Sequence, residues 1–259
     1  MAGVRPLGLG DQLMASGMAR GAKARGKRIA FGDGRRVIWD KHSDIIFRDN
    51  PNIARPGTER RTDIEWVHYY KGSRIYNRQD GDRWVWNMDF RATPGEIYQT
   101  QGEKQDGRRF GAGFVLIEPN VEDWKSSAPN KDWGLEKYQA LANKLKGRLL
   151  QFSHGKRRLR GVETITAKDF RDALGIMANA RLYIGPEGGL HHGAAAMGTK
   201  AVVLFGGFIP PQVTGYETHE NLTGGAEACG SLKPCDHCRK AMDNISVEEV
   251  LAAVKRLDG

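Results

Sequence analysis

The sequence contains few cysteines and no long apolar run, and each scarcity argues against a class of protein. Its 259 residues include three cysteines, all between positions 229 and 238, which argues against a disulfide scaffold and favours a reducing compartment. The longest uncharged apolar segments are far too short to span a bilayer. The N-terminal stretch MAGVRPLGLGDQL lacks the apolar core of a signal peptide. We therefore expect a cytoplasmic protein without a transmembrane segment, with peripheral attachment at the inner membrane surface as an alternative.

Acidic side chains are outnumbered by basic ones. The sequence has 40 lysines and arginines against 31 aspartates and glutamates, a formal net charge of +9. The basic residues concentrate in four clusters, at 19–28, 34–36, 59–61 and 155–160. Any one cluster is explained by a solvated surface. Together they favour an anionic partner, such as a nucleotide, a phosphorylated glycan or lipid, or a nucleic acid.

Short apolar runs alternate with helical patterns in the second half of the chain. The runs at 113–117, 149–152, 181–185 and 201–205 predict buried strands. Apolar residues at helical spacing lie between them. This alternation is typical of a parallel sheet that is covered on both faces.

The first half begins in the same way and then becomes irregular. A helix after a glycine turn precedes a predicted strand at 28–31, whereas 55–112 follows no clear pattern. The polar, glycine-rich segment 103–113 is predicted to be a linker. Two α/β halves joined there would leave a cleft between them.

A glycine-rich loop, GPEGGLHHGAAAMG at 185–198, separates two of the predicted strands. In open α/β sheets, ligands bind outside the carboxyl ends of the strands. Gly188 and Gly189 would let backbone N–H groups approach an anion, and a helix starting near Leu190 would direct its positive end towards it. The alternative is a tight strand-to-helix turn with a packed histidine.

This loop resembles a motif of glycosyltransferase family 9, the heptosyltransferase-like enzymes of the GT-B fold. In that family a strand ends in an acid, a small residue, Gly, Leu, any residue and His, before an alanine-rich helix. The corresponding residues here are Glu187, Gly188, Gly189, Leu190, His191 and His192, followed by Ala194, Ala195 and Ala196. The resemblance continues through 198–207 and 215–222 to 245–254. It implies donor binding by the loop, including Glu187, Leu190 and His192.

Two further segments resemble family motifs in the same chain order. NKDWGLEKYQALANKL, at 130–145, is similar to the Lys-x-Trp-Pro-x-Glu element, with Gly134 in place of proline. It implies that Lys131 holds the donor diphosphate. GLGDQLMASGMARG, at 8–21, is similar to the N-terminal Gly-Asp turn and implies that Asp11 is the catalytic base. The alternatives are an exposed loop lysine and a helix N-cap.

The resemblance implies an α/β, GT-B-like fold with two Rossmann-like half-domains, a cleft between them and a shortened N-terminal half. Residues 1–108 would form the acceptor side, and 109–259 would bind the nucleotide sugar. The implied reaction is an inverting, metal-independent transfer of a sugar from a nucleotide-diphosphate donor to a hydroxyl group of a glycan, a lipid-linked saccharide or a modified nucleic acid. The resemblance also implies that no cofactor is required.

A different class of function is also open. A basic nucleic-acid-binding protein could use Trp66, Tyr69, Trp84 and Trp86 as stacking surfaces. The two hypotheses merge in a glycosyltransferase that modifies DNA bases, which would need both a donor site and a basic face.

The cysteines form the pattern C-x₅-C-x₂-C at Cys229, Cys235 and Cys238. With His219 or His237 they could hold a structural zinc ion. The alternative is three reduced thiols, and we expect no bound metal. His42 and His191 receive no role.

Overall fold

The computed structural model describes residues 7–258. The expectation that the N-terminus carries no signal peptide lies partly outside these residues, because it includes positions 1–6. The helices and strands, in chain order, are α1 (Leu9–Ser16), α2 (Met18–Ala24), β1 (Arg28–Gly32), α3 (Lys41–Phe47), β2 (Ile64–His68), β3 (Asn77–Asp80), β4 (Arg83–Trp86), α4 (Gln101–Gly107), β5 (Phe114–Ile117), α5 (Leu135–Lys144), β6 (Leu149–Phe152), β7 (Glu163–Ile165), α6 (Phe170–Met177), β8 (Ala180–Pro186), α7 (Gly189–Met197), β9 (Ala201–Leu204), α8 (Pro211–Thr214), β10 (His219–Leu222), α9 (Asp236–Asn244) and α10 (Val247–Asp258). Short 3₁₀ helices span Arg108–Phe110 and Ala128–Lys131.

Six parallel strands form the main sheet, in the order β7-β6-β5-β8-β9-β10. Helices α5 and α10 pack on one face and α6 and α7 on the other, each over its own apolar cluster. The direction of winding reverses between β5 and β8, which is the place where open α/β sheets bind ligands. The expected α/β fold with a buried parallel sheet is confirmed.

The N-terminal half is short, as expected. Its parallel sheet consists of β1 and β2, and the hairpin β3–β4 is separate. The single helix of about a dozen residues expected after the glycine turn is split into α1 and α2 at Gly17. A Cβ atom at Gly17 would lie 2.6 Å from Thr93 Oγ1. The segment around Thr93 therefore contacts the chain at the point where the helix breaks.

The linker predicted at 103–113 is wrong for its first half. Helix α4 continues to Gly107, and Thr100 caps it because its hydroxyl accepts the Glu103 N–H at 3.2 Å. A Cβ atom at Gly107 would lie 2.4 Å from the Gly175 carbonyl, so α4 packs directly on α6. The segment therefore belongs to a packed helix, and the domain division at 108/109 stays a prediction.

Candidate functional site

Helix α1 meets the start of α7 at the carboxyl end of β8. A Cβ atom at Gly10 would lie 3.0 Å from Gly189 Cα and 3.1 Å from the His192 ring. Only glycine permits this approach without a shift. The contact brings Asp11, from the N-terminal half, to the same place as the loop of Glu187.

Lys131 and Glu187 form a largely buried ion pair at this place. The 3₁₀ helix that ends at Lys131 directs its ammonium group to the Glu187 carboxylate and, at 3.4 Å, to the Glu187 backbone carbonyl. Burial alone would raise the pKa of Glu187, but the charge of Lys131 and the nearby His192 ring hold it well below its usual range. Glu187 is therefore ionised, and it neutralises Lys131 inside the protein.

His192 links this pair to Tyr216. Its Nε2 atom lies 3.6 Å from Glu187 Oε1, and its Nδ1 atom shares a 2.8 Å hydrogen bond with the Tyr216 hydroxyl. Burial raises the pKa of Tyr216, so the hydroxyl keeps its proton. The neighbouring His191 is fully buried among aromatic rings, those of Phe205, Tyr216 and His219 among them. His191 is thus packed in the core, and one of its ring nitrogens lies within 4.8 Å of the Glu187 carboxylate and of a His192 ring nitrogen.

Asp11 is the third residue of α1 and caps that helix. Its Oδ2 atom accepts the Gly8 N–H at 3.0 Å, and its Oδ1 atom accepts the Tyr76 hydroxyl. Tyr69 donates to the Asp11 backbone carbonyl at 2.8 Å. Burial and the charge of Asp11 raise the pKa of Tyr76, which therefore remains a donor. The cap is present, and the role of catalytic base stays a prediction.

The structure thus brings together most of the residues singled out from the sequence, namely Asp11, Lys131, Glu187, Gly188, Gly189 and His192. The side chain of Leu190 packs against the apolar cluster on the α6 side of the sheet. Sequence reasoning missed Tyr76, which lies in no motif, Tyr216, which lies in the family-like segment 215–222 but received no role, and Glu118.

Glu118 directly follows β5 and is 2% exposed. Its Oε1 atom accepts two hydrogen bonds from Asn120, at 2.8 and 2.7 Å. Its Oε2 atom has no hydrogen bond to residues 7–258, although His154 Nε2 lies 3.3 Å away. Burial raises the pKa of Glu118 to about 7. An acid at the carboxyl end of an apolar strand was the available signal for it.

The three cysteines converge. Cys229 Sγ lies 3.3 Å from Cys238 Sγ and 3.7 Å from Cys235 Sγ. Tetrahedral zinc with Zn–S bonds of about 2.3 Å places sulfur atoms about 3.8 Å apart. The two histidines considered as possible ligands lie elsewhere, because His237 Nε2 is 2.8 Å from the Glu227 carbonyl and His219 packs on His191. Within residues 7–258 the group consists of the three cysteines alone.

Of the four aromatic residues proposed as stacking surfaces, Tyr69 is buried and the three tryptophans are half-buried. The guanidinium group of Arg74 lies over the Trp84 ring, and Trp86 packs edge-on against Phe208, with the ring centroids 6.1 Å apart. Trp66 contributes to a small apolar cluster beside β1. The exposed stacking surface expected for a nucleic-acid-binding protein is therefore not formed by these rings.

Comparison with known proteins identifies structural relatives. No protein-family model matches the sequence, and no curated protein sequence matches it. The fold is similar to that of a glycosyl transferase family 9 protein from Veillonella parvula DSM 2008, with 13% identity, 97% of this chain and 94% of that chain covered, and a TM-score of 0.63. It is also similar to TibC from enterotoxigenic E. coli H10407, an iron-containing dodecameric glycosyltransferase, with 16% identity, 98% and 74% coverage, and a TM-score of 0.65.

A second TibC structure, in complex with ADP-D-beta-D-heptose, is similar at 15% identity, with the same coverage and a TM-score of 0.58. These likenesses confirm the GT-B-like fold that the resemblance to family 9 implies. Between residues 7 and 258, no helix is both long enough and apolar enough to cross a membrane.

Proposed function

We propose that this chain is an inverting glycosyltransferase of the family 9 type, which moves a sugar from a nucleoside-diphosphate donor to a hydroxyl group. The observation that carries the proposal is the contact between α1 and α7. It brings Gly10, the residue before Asp11, against Gly189 and His192 of the other half, and His192 in turn adjoins the Lys131–Glu187 pair. The site lies where the winding of the main sheet reverses. The fold relatives, which are glycosyltransferases, support the same function.

The donor diphosphate would bind at the start of α7. Backbone N–H groups at a helix N-terminus and the Lys131 ammonium stabilise the negative charge that develops on the leaving group, a task that needs no divalent metal. Lys131 carries three N–H donors. It can therefore bind a phosphate oxygen while it keeps Glu187, so the internal ion pair does not close the site.

Asp11 would act as the general base. As the acceptor oxygen attacks the anomeric carbon, its proton passes to the Asp11 carboxylate. The bond from the anomeric carbon to the diphosphate oxygen breaks, and the electron pair leaves with the diphosphate. Attack from the face opposite the leaving group inverts the configuration. The bonds from Gly8 and Tyr76 hold the carboxylate in place.

The substitution Asp11→Asn tests this assignment. The amide keeps the shape and one acceptor atom but cannot take a proton, so we expect ADP binding to persist while the transfer rate falls by about 100-fold or more. ADP-linked sugars are the first donors to test, because a TibC structure is in complex with one. A variant that unfolds more easily but retains turnover would make Asp11 a cap only.

Donor binding is tested separately at the ion pair. Removing Lys131 alone would leave a buried, unpaired Glu187, so the double variant Lys131→Gln/Glu187→Gln is the better probe. We expect it to weaken ADP binding by about 1.5–3 kcal/mol, the range for charge-assisted hydrogen bonds. Calorimetry showing unchanged affinity would remove Lys131 from the donor site.

The acceptor is proposed to be anionic, either a phosphorylated glycan or lipid or a nucleic acid, on the grounds of the net charge of +9. A DNA-modifying transferase remains the alternative. DNA binding that falls steeply with salt, without binding of any nucleoside diphosphate, would favour a nucleic-acid-binding protein instead.

The cysteine cluster fits three ligands of a structural zinc ion, with Cys229, Cys235 and Cys238 as the sulfur donors. The pattern in the sequence favoured packed thiols, but the convergence of three sulfur atoms now favours a metal. Elemental analysis of protein purified without added metal should find one ion per chain. Iron belongs in that measurement because TibC is iron-containing. A folded, metal-free protein with three titratable thiols would show that the cysteines pack together without binding a metal.

A further inference from the structure

Arg74 is a largely buried arginine whose guanidinium has no hydrogen bond to any residue between 7 and 258. Its side chain is 20% exposed, and its Nε atom is buried without a partner. The nearest acidic atom is Asp11 Oδ2, 3.7 Å from Nη2, which is beyond hydrogen-bond distance. Leaving a buried donor unsatisfied destabilises the folded state, so such a group calls for an explanation.

Three other arginines of this chain that are partly or fully buried are satisfied. Arg171, Arg157 and Arg109 each donate two hydrogen bonds to one carboxylate, those of Glu103, Asp132 and Asp172. Arg74 instead lies over two rings, 4.8 Å from that of Trp84 and 6.0 Å from that of Tyr76. The rings hold the guanidinium by cation–π attraction and leave its donors unoccupied.

The position of Arg74 relates this unoccupied group to the donor site. Arg74 faces Asp11, and both Asp11 and Glu187 contribute to the raised pKa of the adjoining Tyr76. The site therefore contains two carboxylates, Asp11 and Glu187, and two cationic side chains, Lys131 and Arg74. Their formal charges sum to zero. Lys131 is already engaged by Glu187, whereas Arg74 has its full set of donors for an incoming anion.

We propose that Arg74 binds the diphosphate of the nucleotide donor from the N-terminal wall of the site, opposite Lys131. The planar guanidinium matches two phosphate oxygens at once, which an ammonium group cannot do. This inference rests on the proposed function and adds to it a contact from the irregular segment between β2 and β3, which carries no family motif. Donor binding would then join the two halves of the chain through one ligand.

Calorimetry with ADP and with inorganic pyrophosphate tests the proposal. Arg74→Gln should weaken both ligands by about 10- to 100-fold, as expected for a lost charge-assisted pair of bonds. Arg74→Lys, which keeps the charge, should lose affinity to a smaller extent. The matched control is Arg78→Gln on the adjoining strand, since Arg78 is 69% exposed and, among residues 7–258, pairs only with Asp80. That variant should bind both ligands as the unmodified protein does.

Two outcomes separate the failure of this inference from the failure of the proposed function. If the unmodified protein binds ADP, and the Lys131/Glu187 double variant loses affinity while both Arg74 variants retain it, the Arg74 assignment is overturned alone. If the unmodified protein binds neither pyrophosphate nor any nucleoside diphosphate, the proposed function itself fails. Melting temperatures of the ligand-free proteins test for a purely structural role. In that case Arg74→Gln would lower the melting temperature and leave the affinity for both ligands unchanged. Should Arg74→Gln not fold, Arg74→Lys decides, and full affinity in that variant contradicts two-point binding.

Discussion

Glu118 is a buried carboxyl group whose ionisation should destabilise the fold at neutral pH. Burial raises its pKa from 4.5 to about 7, against the opposing hydrogen bonds from Asn120 and the charge of Arg158. The difference corresponds to about 3 kcal/mol, because a tenfold change in a protonation equilibrium is worth 1.36 kcal/mol. Replacing Glu118 with glutamine removes the ionisation, keeps an acceptor for Asn120 and offers an N–H group towards His154.

The sign follows from proton linkage. Between pH 4.5 and 7 the folded chain holds a proton on Glu118 that the unfolded chain has lost, so stability declines as the pH rises through this window. At pH 4 both states are protonated and the substitution should change little. At pH 8 the glutamine variant should be more stable than the unmodified protein, by about 1–3 kcal/mol after allowance for imperfect repacking.

Urea unfolding of both proteins at several pH values between 4 and 8 measures this difference directly. Glu217→Gln is the matched control, since Glu217 is exposed in a loop and its replacement should leave the pH dependence as it is. Parallel stability curves for the Glu118 variant and the unmodified protein would contradict the reasoning. They would mean that Glu118 is ionised throughout and that its unpaired Oε2 atom is solvated or paired in solution.

Two further predictions concern other parts of the fold. Burial lowers the pKa of His219 to about 4. The unfolded chain therefore binds a proton that the folded chain does not, and stability is lost as the pH falls below about 6.5. His219→Phe should reduce this loss of stability in acid unfolding curves, and an unchanged loss would show that His219 is not its source. Gly107→Ala places a Cβ atom 2.4 Å from the Gly175 carbonyl and should lower the free energy of unfolding, measured by urea titration, by about 1–3 kcal/mol. The control is Gly102→Ala in the same helix, whose Cβ atom has its nearest neighbour at 3.9 Å and which should be neutral or stabilising. Equal effects at the two glycines would show that α4 does not pack closely on α6.

The buried strands of the second half could be predicted because they are continuous apolar runs. Strands β5, β6, β8 and β9 lie inside a sheet that helices cover on both faces, so nearly every residue in them is apolar. The edge strands β7 and β10 were missed. They are three and four residues long and mostly polar, ETI and HENL, and a pattern of that length carries too little periodicity to separate a strand from a loop.

The pairings within the site could not be predicted. Lys131 and Glu187 were each expected to contact the donor, yet they bind one another across 56 positions of sequence. Local motifs identify the type of residue that a site needs, but partners are set by the tertiary packing that brings the loops together. The same limit applies to Arg74 and Tyr76, which lie in a segment without helical or strand periodicity.

Asp11 shows that a structural role and a chemical role need not exclude each other. From the sequence, a helix cap and a catalytic base were alternatives, and the structure contains the cap bond. An ionised carboxylate offers about four acceptor positions, and the bonds from Gly8 and Tyr76 occupy two of them. A base must be held in a fixed position relative to the acceptor hydroxyl, and these two bonds provide that constraint. The cap is therefore what a base at this position would require, so only the transfer rate of Asp11→Asn, measured on a folded and donor-bound variant, separates the two roles.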